Sequence, residues 1–328
     1  MVDLAAYALE KRIKTAGKPV QLLDVPGTPN FLAVSESGEL EEIDSAKAVV
    51  SRKSPLKVRA GELWLSSDRM TLWGLSPDAK KLLAISREKL ELEREWKLAV
   101  EAKHLAASPE YGHVAVSHEG SDKISILTEG AQGKLQEAST GKLAGNLRFL
   151  QNGSMILVAQ NATRDLTLVE TKTGKVIVHL PLPLEPENFC FSDDGGQLYL
   201  TGRGLDAVVV VYPYQSQVAA TLLSGKSPGP MAVSTTPAFL FVTSPTTDTV
   251  SVLDIRSQKL VAVVAVGSEP RAVAITPDNS MALVLNQRSG DIAIIRLANI
   301  VSKRNKTAPL FTMIPVGSAP VAAVIRSA

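Results

Sequence analysis

Most of this chain repeats one pattern of short strands and turns, and its clearest copy runs from Thr249 to Asn286. Apolar, β-branched runs in this copy are separated by polar turns, which predicts antiparallel strands. Gly267 can leave the second run with a positive φ angle, and Pro270 restarts the chain in an extended conformation. Thr276, followed by Pro277, has the composition of a type I turn. The copy therefore predicts four short strands, at residues 249–254, 260–266, 271–275 and 281–285.

The turn that begins at Thr276 recurs along the chain at a fixed period. Earlier copies follow one another at a constant interval, at Ser234, Ser192, Leu150 and Ser108. Two further copies are expected upstream, at Ser76 after a shortened interval and at Ser35 after a nearly full one. Four short strands per repeat at a fixed period are the signature of a β-propeller, in which each repeat forms one blade. We therefore predict an all-β, seven-bladed propeller of four-stranded antiparallel blades, with eight blades as the competing count.

Two columns of residues support this register. Six residues before the turn, proline recurs at Pro270, Pro228, Pro186 and Pro29, and in a further C-terminal copy at Pro320. Two residues before the turn stand small side chains, which allow blades to pack closely near a crowded axis: Ala274, Ala232, Cys190, Ala106, Gly74 and Ala33. Arg148 alone breaks this second column. Either the register slips locally there, or a guanidinium lies near the central channel.

Three short motifs in the clearest copy resemble a known family. FVTS at residues 241–244, TVSVLD at residues 249–254 and VGSEP at residues 266–270 are similar to the repeat of the YVTN β-propeller family, which includes lactonase-like and surface-layer-type propellers. The resemblance is close over residues 231–287 and recognisable from residue 104 onward. Because these motifs build blades, the resemblance implies a fold far more than an activity.

The two ends of the chain are expected to depart from the regular repeat. Apolar side chains at Leu4, Tyr7, Ala8 and Ile13 predict a short amphipathic helix within an N-terminal extension, residues 1–18. Residues 19–328 are expected to form a single propeller domain. A partial copy of the repeat at residues 317–325 predicts that the N- and C-terminal segments close the ring together.

An acidic run lies in the N-terminal part of the predicted propeller. Its members are Glu36, Glu39, Glu41, Glu42 and Asp44. A cation site is one interpretation of such a run. We favour the solvated edge of a strand pair, where charge also prevents association with other sheets.

Composition and charge narrow the range of partners and compartments. The net charge of +2 comes with no basic stripe, so we expect no nucleic-acid partner. The single cysteine, Cys190, cannot form an internal disulfide, and its neighbours Phe189 and Phe191 predict a buried thiol. No apolar run reaches the ~20 residues that a membrane-spanning helix needs. We expect a monomer that is periplasmic or on the cell surface if the sequence is a mature form, and cytoplasmic otherwise.

Polar residues are expected to converge on one face of the propeller. If the first strand of a blade runs away from the proline-bearing connection, the loop after the second strand returns to the same side. Polar loops held by rigid sheets around a central pit make the default binding site of such a fold. The ligand-binding candidates are Asn30, Arg148, Asn161, Asn188, Arg203, Arg271, Asn286 and Arg288.

Two functions fit this face. We favour a non-catalytic binding module for a protein, a peptide or a small ligand, because the spacing fixes no carboxylate pair and no carboxylate–histidine pair. The alternative, which the resemblance implies, is a lactonase-like hydrolase that a divalent cation could assist. Its catalytic candidates are His118 for proton transfer, Glu187 as an oxygen ligand, and Arg203 or Arg271 as oxyanion stabilisers. We expect no resident cofactor and no metal site, because the four histidines do not have the spacing of metal ligands.

Overall fold

The computed structural model describes residues 1–110, 112–128, 133–301, 308–317 and 319–326. Strands dominate this part of the chain. Its helical elements are two 3-10 turns, Asn161–Thr163 and Pro213–Gln215, and one short α-helix, α1 (Leu297–Val301). Neither α1 nor any other described helix has the length and the apolar composition that a bilayer span requires.

Seven four-stranded antiparallel sheets form the blades, and each blade consists of four consecutive strands. A separate hairpin pairs β1 (Val2–Asp3) with β2 (Ala8–Leu9). Blade 1 contains β3 (Pro19–Asp24), β4 (Asn30–Ser35), β5 (Glu39–Asp44) and β6 (Val49–Lys57). Blade 2 contains β7 (Leu63–Leu65), β8 (Thr71–Leu75), β9 (Lys81–Ser86) and β10 (Leu92–Lys97). Blade 3 contains β11 (Ala102–Ala107), β12 (Val114–His118), β13 (Lys123–Leu127) and β14 (Leu135–Ser139).

Blades 4 to 7 follow the same order of strands. Blade 4 contains β15 (Leu147–Phe149), β16 (Met155–Gln160), β17 (Asp165–Glu170) and β18 (Val176–Pro181). Blade 5 contains β19 (Glu185–Phe191), β20 (Leu198–Arg203), β21 (Ala207–Tyr212) and β22 (Gln217–Leu223). Blade 6 contains β23 (Met231–Val233), β24 (Phe239–Ser244), β25 (Thr249–Asp254) and β26 (Lys259–Ala265). Blade 7 contains β27 (Pro270–Ile275), β28 (Met281–Asn286), β29 (Asp291–Arg296) and β30 (Leu310–Pro315).

The predicted fold class is confirmed: the chain is an all-β, seven-bladed propeller of four-stranded antiparallel blades. It forms two compact units, one with blades 1–4 (residues 12–182) and one with the β1–β2 hairpin and blades 5–7 (residues 1–11 and 183–328). Within each unit, the first strands of neighbouring blades contact one another and are therefore the innermost strands. The closing role expected of the two terminal segments stays a prediction.

The core of each unit lies between the faces of successive blades. Blades 2 and 3 bury Trp73, Leu82, Leu105 and Val114 against one another, all at most 2% exposed. Alternate residues of a strand point to opposite faces of its sheet. In a blade that has a neighbouring blade on each side, every strand therefore contributes apolar residues to the core on both faces. Continuous apolar runs such as residues 207–211 in β21 follow from this arrangement.

The prediction of an N-terminal helix is wrong, because residues 2–9 form the β1–β2 hairpin. Val2 and Leu4 pack against blade 7, and Tyr7 has a φ angle of 51°, which an α-helix does not allow. The Tyr7 hydroxyl accepts a hydrogen bond of 3.0 Å from Arg296, and the Tyr7 ring lies 4.7 Å from that of Phe311. So short a segment does not distinguish an alternating pattern from a helical period.

The predicted register is wrong in blades 1 and 2. Ser35 ends β4 and Ser76 follows β8, so both belong to the second strand of a blade. The turn after the innermost strand begins at Ser66 in blade 2 and follows Asp24 in blade 1. Asp24, Ser66 and Ser108 are separated by the same interval as the turns of the later blades, so the repeat has a constant length throughout. Ser66 and Ser76 make the same turn, because each hydroxyl accepts a 3.0 Å hydrogen bond from the amide five residues later. Hydroxyl-led turns therefore do not mark one connection only.

The prediction of a solvated edge for the acidic run is also wrong. The run lies on and beside β5, which is paired with a neighbouring strand on each side and is not an edge of the blade 1 sheet. Glu41 and Glu42 are 3% and 9% exposed. Across the strand pair, Lys53 lies 2.9 Å from Glu41 and Arg52 lies 2.9 Å from Glu42. Opposite charges that face each other across a strand pair stabilise the pairing. This part of the run is a ladder of ion pairs between β5 and β6.

Candidate functional site

Three polar side chains occupy the same register position in successive blades of the residue 12–182 unit. Glu62, His104 and Asn146 each stand one repeat from the next, and they lie in, or just before, the innermost strands of blades 2, 3 and 4. Glu62 Oε1 is 3.1 Å from His104 Nδ1, and Glu62 Oε2 accepts a 2.8 Å hydrogen bond from the Leu105 amide. The fold therefore brings a carboxylate and a histidine together. The predicted register of blade 2 does not align these two residues, so the pair is not apparent from the sequence pattern.

Arg148 lies next to this pair and has a fixed orientation. Its Nη1 donates hydrogen bonds to Asn146 Oδ1 at 2.9 Å and to the Leu147 carbonyl at 2.8 Å. Its Cζ lies 5.0 Å from the centre of the Trp64 ring, a cation–π contact. Burial lowers the pKa of Arg148, and the negative charge of Glu62 opposes this shift. We call Glu62, Trp64, His104, Asn146 and Arg148 the inner-strand cluster.

Trp64 and Arg148 occupy the register position that the sequence predicts to hold small residues. In blade 3 that position is Ala106, between the two in chain order. The corrected register thus places two large side chains in the small-residue column, and they contact each other. Of the two explanations for Arg148, the structure favours a guanidinium placed among the innermost strands over a local slip.

The remaining arginine candidates lie in blades 5 and 7 and form ion pairs at the surface. Arg203 Nε lies 2.7 Å from Glu187 and 3.4 Å from Glu185. Glu269 lies 2.6 Å from Arg271 and 3.3 Å from Arg288. The hydrogen bond from Arg271 holds the pKa of Glu269 below its usual value. Because the arginines in both blades are paired with glutamates, the surface around them carries charges of both signs and is not purely cationic.

The asparagine candidates are tied into their own blades. Asn188 donates a 3.2 Å hydrogen bond to Thr201 on the neighbouring strand. Asn286 is completely buried and donates to Asp291 at 2.7 Å, while its Oδ1 has no hydrogen-bond partner among the residues that the structure describes. Asn30 begins β4 and Asn161 begins a 3-10 turn, both half-buried. The described contacts do not join these four residues into one cluster.

His118 is a buried residue at the end of β12, with 3% exposure. Its Nδ1 donates to the Val100 carbonyl at 3.0 Å, and its Nε2 accepts from the Ser125 hydroxyl at 2.8 Å. Burial lowers the pKa of His118 below its usual 6.5. Because both ring nitrogens are used within blade 3 and its loops, the geometry favours a structural role over proton transfer.

We predict that His118 makes stability fall in mild acid. Because the pKa of His118 is lower in the folded state, the unfolded chain binds a proton at this imidazole more tightly. The stability that neutral His118 contributes is therefore lost as the pH falls below the pKa of the histidine in the unfolded chain. His118→Gln, which installs the residue found one repeat later at Gln160, should show a smaller drop in Tm between pH 7.5 and pH 5 than the wild type. Parallel Tm profiles for the two proteins would contradict this role.

Cys190 occupies the register position of Arg148 in blade 5, and its thiol is predicted to react slowly. Burial raises the pKa of Cys190 to about 12. Since the thiolate is the reactive form, alkylation at pH 8 should be roughly a thousandfold slower in the folded protein than in the protein unfolded in urea. The measurement is the rate of iodoacetamide labelling, followed by mass spectrometry. Equal rates in the two states would show that the thiol is accessible and ionised.

No group of three or more His, Cys, Asp or Glu side chains in the described part of the chain is arranged to hold a metal ion. The inner-strand cluster has one carboxylate and one histidine, which contact each other instead of facing a common point. Two nitrogen or oxygen ligands fall short of the sets that bind divalent cations in proteins.

One part of the chain matches the model of a known family. Residues 186–308 match the family model "Lactonase, 7-bladed beta-propeller". The resemblance to lactonase-like propellers is thereby confirmed for this part of the chain, which extends from β19 through blade 6 to the α1 region of blade 7. The inner-strand cluster lies outside the matched residues. No match was found among curated proteins.

Solved structures share the fold at low sequence identity. The dihydro-heme d1 dehydrogenase NirN in complex with DHE is 11% identical, with a TM-score of 0.76, over 93% of this chain and 67% of that one. Kuenenia stuttgartiensis hydrazine synthase is 15% identical, with a TM-score of 0.64, over 89% of this chain and 99% of that one. The Cps50 (Swd1) β-propeller domain of Myceliophteria thermophila is 11% identical, with a TM-score of 0.68, over 87% and 98%. At these identities the likeness establishes the fold alone.

Proposed function

We propose that the chain is a non-catalytic binding propeller that holds a small ligand at the inner-strand cluster. The observation that carries the proposal is the fixed geometry of Arg148, which two hydrogen bonds hold over the face of Trp64 beside the Glu62–His104 pair. Polar groups whose orientation is set by rigid strands bind a ligand without first losing conformational freedom. Innermost strands of a propeller are the rigid elements on which such a site is expected.

The bonding of the candidate acids and bases supports binding over catalysis. Glu62 uses one oxygen for His104 and the other for the Leu105 amide. His118 uses both ring nitrogens in a buried setting, and Glu187 is paired with Arg203. A general base needs an unshared electron pair within reach of the substrate proton. His118 has no unshared electron pair left, and the carboxylates of Glu62 and Glu187 are already held by a histidine, an amide or an arginine.

A second candidate function is lactonase-like hydrolysis, and two observations favour it. Residues 186–308 match the lactonase family model, and the Glu62–His104 pair joins a carboxylate to a histidine at 3.1 Å. In that reaction the carboxylate would orient His104 as the proton-transfer group, and Arg148 would stabilise the oxyanion that forms on the lactone carbonyl. A divalent cation supplied from solution could assist the same step by polarising that carbonyl.

One screen separates the two functions. Thermal shift is measured with sugar lactones, polyols, small organic acids and divalent cations, and every stabilising compound is then examined by calorimetry. Acid release from each lactone is followed with a pH indicator, with and without Mg²⁺ or Ca²⁺. Saturable binding without turnover supports the binding module, whereas turnover above the buffer rate that Glu62→Gln abolishes supports the hydrolase. A chain that none of these compounds stabilises would overturn small-ligand binding at this cluster.

A further inference from the structure

Arg148 carries a positive charge that its described surroundings only partly satisfy. Its Nη1 bonds to Asn146 and Leu147, but Nε and Nη2 donate to no described residue, and no described carboxylate forms an ion pair with it. Both partners of Nη1 are neutral oxygens. Transferring a guanidinium out of water without a paired anion is costly, so such groups are normally paired.

The acid nearest in the cluster does not fill this role. Glu62 directs its two oxygens at His104 and at the Leu105 amide. Its charge influences Arg148 only over a distance greater than that of an ion pair. Nε and Nη2 of Arg148 therefore form an edge without a described hydrogen-bond partner, and this edge has the spacing that accepts two oxygens of one anion.

We propose that Arg148 binds the oxyanion of a small organic ligand, a carboxylate or a phosphate group, through Nε and Nη2. This inference rests on the proposed binding function and names its ligand class. Trp64 covers one face of the guanidinium, and the two bonds of Nη1 fix its plane. An anion that approaches in that plane meets both donors at once, with no rotation of the side chain needed.

The Glu62–His104 pair limits the charge of the ligand. Because the cluster already contains one carboxylate, a second anionic group on the ligand would lie close to Glu62 and be repelled. A ligand with a single anionic group and neutral hydroxyl groups has no such conflict. The Glu62 carboxylate could accept a further hydrogen bond from one of those hydroxyls.

The test uses simple anions with the whole chain at constant ionic strength. Sodium acetate and inorganic phosphate are titrated separately, with acetamide as the neutral analogue of acetate, and binding is followed by tryptophan fluorescence and calorimetry. We expect saturable binding of at least one anion with a Kd in the millimolar range, well within the limit that ligands of four or five heavy atoms can reach. Acetamide should not bind. The two arms distinguish a carboxylate from a phosphate ligand.

Blade 2 offers a matched control for the arginine. Arg94 lies 4.9 Å from the centre of the Trp96 ring, almost the same cation–π geometry, but on the exposed outer strand β10. Arg148→Met should weaken anion binding about tenfold or more. It should also leave Tm unchanged or raise it, because it removes a desolvated charge without an ionic partner. Arg94→Met should leave anion binding unchanged.

Each outcome decides between the proposals. Anion binding that survives in Arg148→Met, or an equal response to acetamide, overturns the inference. So does a chain in which neither anion binds although a lactone or polyol does, and that result leaves the proposed binding function standing. A lower Tm for Arg148→Met, together with unchanged binding, would assign Arg148 a purely structural role. If no anion and no neutral compound binds, both proposals fail together.

Discussion

Replacing Gly202 with alanine is expected to lower the free energy of unfolding by about 3 kcal/mol, because the new methyl group has no space. Gly202 lies on β20, opposite Pro186 on the innermost strand of blade 5. A Cβ atom at this position would lie 1.8 Å from the Glu185 carbonyl oxygen and 3.0 Å from the Glu187 amide. A shift in pairing between Pro186 and Asn188 brings the β19 backbone over the glycine. Since the obstacle is backbone, the strand itself must move.

A second glycine of the same blade provides the control. The atoms nearest to a Cβ atom on Gly196 would belong to the Asp194 side chain, at 3.3 Å, so the neighbour needs to move by only a few tenths of an ångström. Gly196→Ala should therefore change the free energy of unfolding by less than about 1 kcal/mol. Both variants are compared with the wild type by urea unfolding, followed by circular dichroism. Equal midpoints for the two variants would show that β19 yields without cost and that the close approach is not a constraint.

The architecture could be predicted from the sequence because the repeat is periodic and each strand is short. Turns led by Thr276 and Ser234 stand in equivalent places of successive repeats, and each closes the hairpin after an innermost strand. Backbone turn chemistry acts locally, so its signal is present in the sequence whatever surrounds it. The number of strands per blade follows from counting the apolar runs between two such turns.

The register of the first two blades could not be recognised by the same rule. Ser66 and Ser76 both lead a hydroxyl turn with an aspartate two residues later, so local chemistry does not say which hairpin is the first in the blade. Counting back one full repeat from Ser108 leads to Ser66 and not to Ser76. That choice also places Glu62 in line with His104, and Trp64 in line with Arg148. Aligning Ser76 in place of Ser66 therefore hides the inner-strand cluster in the sequence.

The helix prediction for the N-terminal segment is wrong for a different reason. Its few apolar residues fit a helix and an alternating strand almost equally well, and only packing decides between them. Val2 and Leu4 lie on blade 7 together with Ala323 and Ile325 from the C-terminal segment. Contacts between residues so far apart in the chain leave no mark on a local pattern. The same holds for Arg148, whose stacking on Trp64 joins residues two repeats apart.

Replacing Trp73 with alanine is expected to cost about 3–5 kcal/mol of unfolding free energy, the usual loss for a fully buried tryptophan. Trp73 is 2% exposed in the core between blades 2 and 3, and its ring lies 5.8 Å from that of Trp96. It also stands directly opposite Trp64 in the pairing of β7 with β8. Side chains directly opposite each other in an antiparallel pair lie on the same face and support each other.

The position of Trp73 links the stability of blade 2 to the inner-strand cluster. Without the Trp73 ring, Trp64 loses its cross-strand neighbour and the surface on which Arg148 is stacked becomes less ordered. Trp73→Ala should therefore weaken the fluorescence response to acetate or phosphate as well as lower stability. Trp73→Phe keeps an aromatic ring at that place and should lose less stability and less anion binding.

Urea unfolding followed by circular dichroism measures the loss of stability, and anion titration in buffer without urea measures the loss of binding. An alanine variant that loses stability but keeps full anion binding would show that Trp64 is positioned without Trp73.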